Sequence, residues 1–260
     1  NEYNLEYANS LYAITLKKAG WDCFRHYEII ATGAIPFFLD IELIPSSIMT
    51  TYPKSLVLKA MNLPGMPTQE EVKKKLKNDI IPTINFNIFN INDYYKIRKK
   101  ILEHFEQNCL TNNLYNMIFK YFKIPKKVQV ISYNLNYPDH IRDLLIASLL
   151  ENNILVTGNH KIDFLFKDSI LDKNIYGKGF NYTKFLSKEL FNNYNICNSI
   201  DTSADFIIFS TASNLPCLEI DKLIMPTDPI IIELDGNDGI GVTKKYAISK
   251  RRFIRELYLN

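Results

Sequence analysis

Apolar and polar positions alternate over residues 10–16, SLYAITL, which is the period of a half-buried strand. Gly20 interrupts the chain, and a helix is predicted from about Asp22 to Ala31, closed by Gly33. AIPFFLD, residues 34–40, is a short apolar run fit for a buried strand, with its proline near the start, where a missing N–H matters least. The order is strand, loop, helix, strand. Helices follow at 54–62 and 68–78, the second opened by Pro67 and Thr68 with Glu70 and Glu71 in its first turn, where acids favour the helix dipole. Over 93–109, Tyr94, Ile97, Ile101 and Phe105 recur at helical spacing and predict a core-facing stripe. Residues 81–93, rich in Asn and Ile, predict irregular structure.

A helix over 112–122 runs into KIPKK, residues 123–127, which reads as a linker. The pattern then restarts. VQVISY predicts a strand, DHIRDLLIASLL a helix and NILVTG a strand, the signature of a parallel βαβ unit. ADFIIFS (204–210) and PIIIELD (229–235) are apolar enough for strands buried on both faces. The chain therefore reads as α/β, with one unit over 1–125 and a second over 126–260.

At 260 residues and 47% hydrophobic content the chain can bury two ordinary cores. Its net charge is +3, from 31 basic and 28 acidic side chains, which gives little reason to expect a nucleic-acid partner. Cys23, Cys109, Cys197 and Cys217 lie far apart with no paired-ligand spacing, so neither a structural zinc site nor a disulfide framework is expected, and a reducing, cytoplasmic setting is. No apolar run is long enough for a membrane span, and NEYNLEYANS lacks the regions of a signal peptide.

The chemistry concentrates in GWDCFRHYEIIATGAIPFF, residues 20–38. A helix that begins near Asp22, directly after a strand and a glycine turn, offers unpaired backbone N–H groups and a partial positive charge, an anion site. Arg25 can add a bidentate phosphate contact, and Lys18 stands just upstream with Lys17. Glu28 shares a helix face with Arg25, and its carboxylate can accept bonds from two neighbouring hydroxyls, as on a ribose. His26 sits between them. The plain alternative is a surface ion pair at i, i+3 beside a half-buried histidine. The order of parts favours the nucleotide, because open α/β sheets bind ligands at the carboxyl ends of their strands.

The string AGWDCFRHYEIIATGAIPFFLDIELIP resembles the nucleotide-sugar-binding part of exostosin-like and related GT-B glycosyltransferases, where an Arg-x-x-Glu helix precedes a small-residue turn and an Ile-Pro strand. The likeness extends through SLYAITLKKAGWD upstream and TTYPKSLVLKA downstream. It implies that Glu28 holds the donor's ribose and that Arg25 approaches its diphosphate, with Asp22, Lys18 and His26 around them. VQVISYNLNYPDHIRDLLIASLL, IYGKGFNYTKFL, ADFIIFSTAS and IIIELDGNDG are more loosely similar to the acceptor-side Rossmann-like domain of such enzymes. The resemblance thus implies two Rossmann-like units of GT-B type, 1–125 binding the nucleotide sugar and 126–260 facing a glycan or other hydroxyl acceptor, with no separate cofactor and no metal. Their order is the reverse of the family's, and the first lacks opening strands. That points to a rearranged enzyme or to a section of a longer tandem polypeptide with further domains.

In GT-B enzymes the acceptor domain often supplies the general base, and Asp139 and His140 are the candidates here. Asp139 reads equally well as an N-cap after Pro138, with Arg142 and Asp143 solvating the first turn. Tyr176, Gly177, Lys178 and Gly179 form a turn near an acceptor or a plain loop. ELDGNDGIG, residues 233–241, with Asp235 and Asp238, lacks both a calcium-loop ligand set and the end of a Walker motif, and reads as a turn. His104 and His160 read as structural. A non-catalytic, degenerate transferase-like module is the alternative to an enzyme. A nicotinamide or methyl-transfer Rossmann enzyme is disfavoured, because no G-x-G-x-x-G follows a predicted strand.

Overall fold

The computed structural model of the chain describes residues 2–18, 20–120, 122–132, 139–170, 183–210, 230–235 and 252–254. It is an α/β structure whose paired strands, among the described residues, all run parallel, and it divides into two compact units, Asn1–Leu110 and Thr111–Leu257.

The first unit carries α1 (Glu2–Ala8), β1 (Tyr12–Thr15), α2 (Phe24–Ala31), β2 (Ile35–Phe38), α3 (Lys54–Met61), α4 (Gln69–Leu76) and α5 (Ile91–Asn108). β1 and β2 pair in parallel from Tyr12↔Ile35 to Thr15↔Phe38. A tight turn cannot join parallel strands, and α2 supplies the crossover. All four residues of β2 are buried, and Pro36 is tolerated there because β2 has a hydrogen-bonded neighbour on one side only. The predicted stripe of α5 is interior: Tyr94, Ile97, Ile101 and Phe105 join Ile35, Phe38 and Val57 in one cluster. Two phenol hydroxyls stitch helices to the sheet region, Tyr12 donating to the Ala60 carbonyl (2.8 Å) and Tyr94 to that of Leu11 (2.7 Å). α4 starts with a full capping box, in which Thr68 Oγ1 accepts from the Glu71 amide and Glu71 Oε2 from the Thr68 amide.

The second unit carries α6 (Asn112–Phe119), β3 (Lys127–Ser132), α7 (His140–Glu151), β4 (Leu155–Gly158), β5 (Tyr194–Ile196), β6 (Phe206–Ser210), β7 (Ile230–Asp235) and β8 (Arg252–Ile254). Its six-stranded sheet has the order β5-β4-β3-β6-β7-β8. The chain therefore builds outward from β3 on one side, then returns to build outward on the other. β6 is buried along its whole length, as a central parallel strand should be. The return segment between β5 and β6 is pinned by Gln129, a fully buried amide in β3 that donates to the Ser199 carbonyl and accepts from the Asp201 amide.

The break between units falls ahead of α6 and not in the 123–127 segment. The reason is packing: the Tyr115 amide donates to Ser148 Oγ of α7, that hydroxyl donates to the Asn112 carbonyl, and the Phe119 ring meets Phe206 of β6 edge-on at 5.0 Å. The helix placed over 112–122 ends at Phe119. α1, β5 and β8 are additions to the expected set. Tyr176 to Gly179 and residues 236–241 of the ELDGNDGIG segment lie outside the described residues.

Gly33 closes α2 at φ +91°, and a Cβ there would collide with the guanidinium of Arg98, whose Nε donates to the Gly33 carbonyl. Gly33→Ala is expected to destabilise the first unit by about 1–3 kcal/mol. Urea unfolding followed by Trp21, the chain's single tryptophan and part of that unit's core, reads this directly; an unchanged midpoint would refute it.

Candidate functional site

The start of α2 lies just beyond the carboxyl end of β1. The N-cap is Cys23, in extended conformation, and no side chain closes a hydrogen-bonded cap there; no acid sits in the first turn. Burial pushes the Cys23 thiol up, while the Arg25 charge and the amides of Arg25 and His26 pull it partly back, so the sulfur lies against the helix start. Thr68, Asn90 and Asp139 each accept backbone N–H bonds at α4, α5 and α7, whereas α3 and α6, like α2, have no side-chain cap. Arg25 and Glu28 are half-buried on successive turns of α2 and both already interact within the protein. Asp22 is held by the Tyr27 hydroxyl, which donates to its Oδ1 at 2.8 Å. Lys18 is exposed, and the Lys17 ammonium sits over the Trp21 ring at 5.2 Å.

His26 does not belong with these groups. It is fully buried and stacked on Phe38 at 4.2 Å. Its Nε2 lies 3.0 Å from the Trp21 carbonyl and its Nδ1 2.9 Å from Thr15 Oγ1. The carbonyl can only accept, so Nε2 carries the proton and Nδ1 accepts from the threonine. Burial lowers its pKa to about 4, against the hydrogen bond to Trp21. The expected donor-site role of His26 gives way to a neutral, interior one that fixes the β1–α2 loop.

A cleft of about 450 Å³ opens at the start of α3, with Lys54, Ser55, Thr50 and His104 on its walls. That volume suits a small molecule. Tyr52 forms another wall, and its ring meets two α2 side chains, Tyr27 at 5.5 Å and His26 at 6.4 Å. Lys54 Nζ donates to the carbonyls of Pro45 and Ile48, and burial lowers its pKa. All of these wall residues but His104 of α5 come from the TTYPKS segment; their only sequence signal was position, since Pro-Lys-Ser at a helix start is common.

In the second unit a buried polar knot fills the carboxyl edge of the sheet between β3 and β6, where Ser132 and Ser210 are in register. Asp139 is the N-cap of α7: Oδ1 accepts from the Arg142 amide and Oδ2 from the Ser210 hydroxyl. Arg142 and Asp143 are 2% and 0% exposed, so they do not solvate the first turn. Arg142 Nε and Nη2 each reach Asp143 Oδ1 at 2.8 Å, and Nη1 donates to Ser132 Oγ at 2.6 Å. Burial raises the Asp143 carboxyl to about 6, with Arg142 opposing. Asn159 extends the β3–β4 pairing, exchanging two hydrogen bonds with the Ser132 backbone. His160 is buried next to it, and burial followed by the Arg142 charge lowers its pKa to about 3. His140, the other candidate base, is half-buried at the first position of α7 and interacts within the protein. Both oxygens of Asp139 are thus committed to holding the helix and β6. Among the described residues no group of three or more His, Cys, Asp or Glu could hold a metal ion.

His26 has a folded pKa below its unfolded value, so it contributes stability that is present above about pH 6.5 and is lost as pH falls toward 4. The span corresponds to about 3 kcal/mol at full separation. Asp143 has the opposite sign over the same range, since its raised pKa favours folding at the acid end. A His26→Gln variant should therefore lose less melting temperature than the parent between pH 6.5 and 4, whatever its own stability at neutral pH, and an equal or steeper loss would contradict the assignment. No protein-family model, curated protein or solved structure matches the chain.

Proposed function

We propose that the chain is a glycosyltransferase that moves a sugar from a nucleotide-sugar donor to a hydroxyl acceptor, with the donor held by the first unit. The observation that carries this reading is on α2: Arg25 and Glu28 are half-buried on one face one turn apart, at the start of a crossover helix whose N-cap, Cys23, offers only a weakly accepting thiol. The cleft at the start of α3 is lined by none of Lys18, Asp22, Arg25 or Glu28; its link to α2 is the Tyr52 ring, which meets Tyr27 at 5.5 Å. The string from Ala19 to Pro45 is the part that resembles exostosin-like GT-B enzymes.

In this reading Arg25 and the helix amides stabilise the charge that develops on the departing nucleoside diphosphate, a task that a metal ion performs in other transferases. Glu28 accepts bonds from the ribose hydroxyls. The second unit, a parallel sheet of order β5-β4-β3-β6-β7-β8, takes the acceptor. One observation favours the rival reading, a binding or scaffold module without turnover: the carboxylate of Asp139 is fully engaged within its own fold, so the expected base is not open.

A calorimetric panel of UDP, GDP, ADP and TDP and their sugars tests the proposal. One nucleotide should bind, and Glu28→Ala should weaken it by about 1.5–3 kcal/mol, the range for bonds to charged groups. Arg25→Ala should weaken the diphosphate more than the nucleoside. Failure of every nucleotide to bind the intact protein ends the reading; binding without sugar release to any hydroxyl acceptor moves it to the scaffold module.

A further inference from the structure

The connection between α4 and α5, IIPTINFNIFNIN at residues 80–92, contains no charged side chain. Much of it is apolar and outward: Ile81 is 82% exposed, Phe86 67% and Ile88 61%, and Ile91 and Tyr95 continue the surface onto α5. Isolated exposed apolar residues are ordinary, whereas a contiguous exposed group marks an interaction surface. Here continuity is visible in the rings: Phe86 meets Phe89 at 5.9 Å, Phe89 meets Tyr94 at 6.1 Å, and Tyr94 meets Tyr95 at 5.3 Å, so the two exposed aromatics flank a buried pair.

The display is built. Phe89 is buried in the first unit's core, edge-on to Tyr12 at 6.5 Å. The Asn85 amide donates to the Gly65 carbonyl at 2.8 Å, and at Gly65, held at φ +90°, a Cβ would strike the Asn85 carbonyl. Two anchors, Asn85 and Phe89, thus hold the segment to the core while the residues between them face solvent.

Cations stand at both ends. Lys74 and Lys77 are exposed toward the end of α4, and Lys96, Lys99 and Lys100 on α5, Lys99 lying 3.9 Å from Glu103. From Gln69 to Lys100 there are eight basic and four acidic side chains, a net of +4 in a chain whose total is +3. The acids are accounted for in part: Asp93 pairs with Lys96 at 3.2 Å, and Glu71 closes the α4 capping box. Asp79 and Glu70 complete the four.

We infer that this surface is a lipid-binding edge that seats Ile81, Phe86 and Ile88 in the interface of an anionic bilayer, with the flanking lysines on its headgroups. Apolar insertion and lysine attraction act together at such interfaces, and long lysine side chains place charge at the headgroup level while their stems cover apolar surface. A second copy of the chain is the poorer occupant, because face-to-face pairing would bring the two lysine sets together. Among the described residues no helix is long and apolar enough to cross a membrane, so the contact is interfacial. It is independent of the glycosyltransferase reading.

Co-sedimentation of the full chain with phosphatidylcholine vesicles and with phosphatidylserine-containing vesicles tests it. Binding should be clear on the anionic vesicles, weaker on the neutral ones, and should fall with salt. Ile81→Asp with Phe86→Asp should abolish it, and Lys74→Gln or Lys77→Gln should each lower partitioning about fivefold. Glu28→Ala should leave it unchanged, which separates this result from any failure of nucleotide binding. Trp21 fluorescence establishes that each variant is folded. Absence of sedimentation with both vesicles, undiminished binding by the double variant, or a concentration-dependent dimer removed by that same variant would each overturn the inference.

Discussion

A parallel strand pair obliges the chain to leave the sheet at a carboxyl end and to re-enter at an amino end, and this constraint organises both units. In each case the way back is a helix, α2 between β1 and β2 and α7 between β3 and β4. Each such helix begins with backbone amides that have no intrahelical acceptor, beside the carboxyl ends of strands. What fills that position decides whether the edge is sealed or open to a ligand.

The two helix starts are filled differently, and the difference lies in single residues. At α7 the N-cap is an aspartate, and its carboxylate is shared between the Arg142 amide and the Ser210 hydroxyl of β6. Arg142 then binds Asp143 and Ser132, so the crevice between β3 and β6, where doubly wound sheets commonly seat ligands, is occupied by the protein's own charges. At α2 the corresponding residue is Cys23, a weak acceptor whose thiol is pushed toward neutrality by burial. Asp22 precedes that start and Arg25 stands on the helix itself, while the histidine beside Arg25 is withdrawn into the core. The first edge is therefore closed by a weaker cap than the second.

Much of this order was legible in the sequence, because its signals are local. The Tyr94, Ile97, Ile101, Phe105 stripe, the Thr68 start of α4 and the apolar runs of β2, β3, β6 and β7 each state their structure within a few residues. The missed elements are those whose stability is borrowed: α1 is a polar heptapeptide, and β5 and β8 are three-residue strands fixed by their neighbours in the sheet. His26 reads as polar because its partners, Thr15 at the end of β1 and the Trp21 carbonyl in the loop after it, lie outside the helix. Arg142 and Asp143 look like any charged first turn; what buries them is Ser132 and β6, and no period within the helix announces a strand more than sixty residues further on. The unit boundary moved for a similar reason, since α6 is tied to its unit by Ser148 and Phe206, both distant in sequence.

The buried Arg142–Asp143 pair is better understood as a device for fixing geometry than as a source of stability. Taking both charges out of water costs several kcal/mol per ion, and the raised pKa of Asp143 says that burial outweighs the attraction of its neighbour at that carboxylate. What the pair does achieve is positional. Its guanidinium joins the helix start to Ser132 of β3, the capping aspartate joins the same turn to Ser210 of β6, and Asn159 binds the Ser132 backbone from beyond β4. Three adjacent strand ends are thus held to one helical turn. An apolar replacement of similar size would fill the space but supply no direction, and directional bonds are what a parallel sheet needs at the edge where its chain reverses sides.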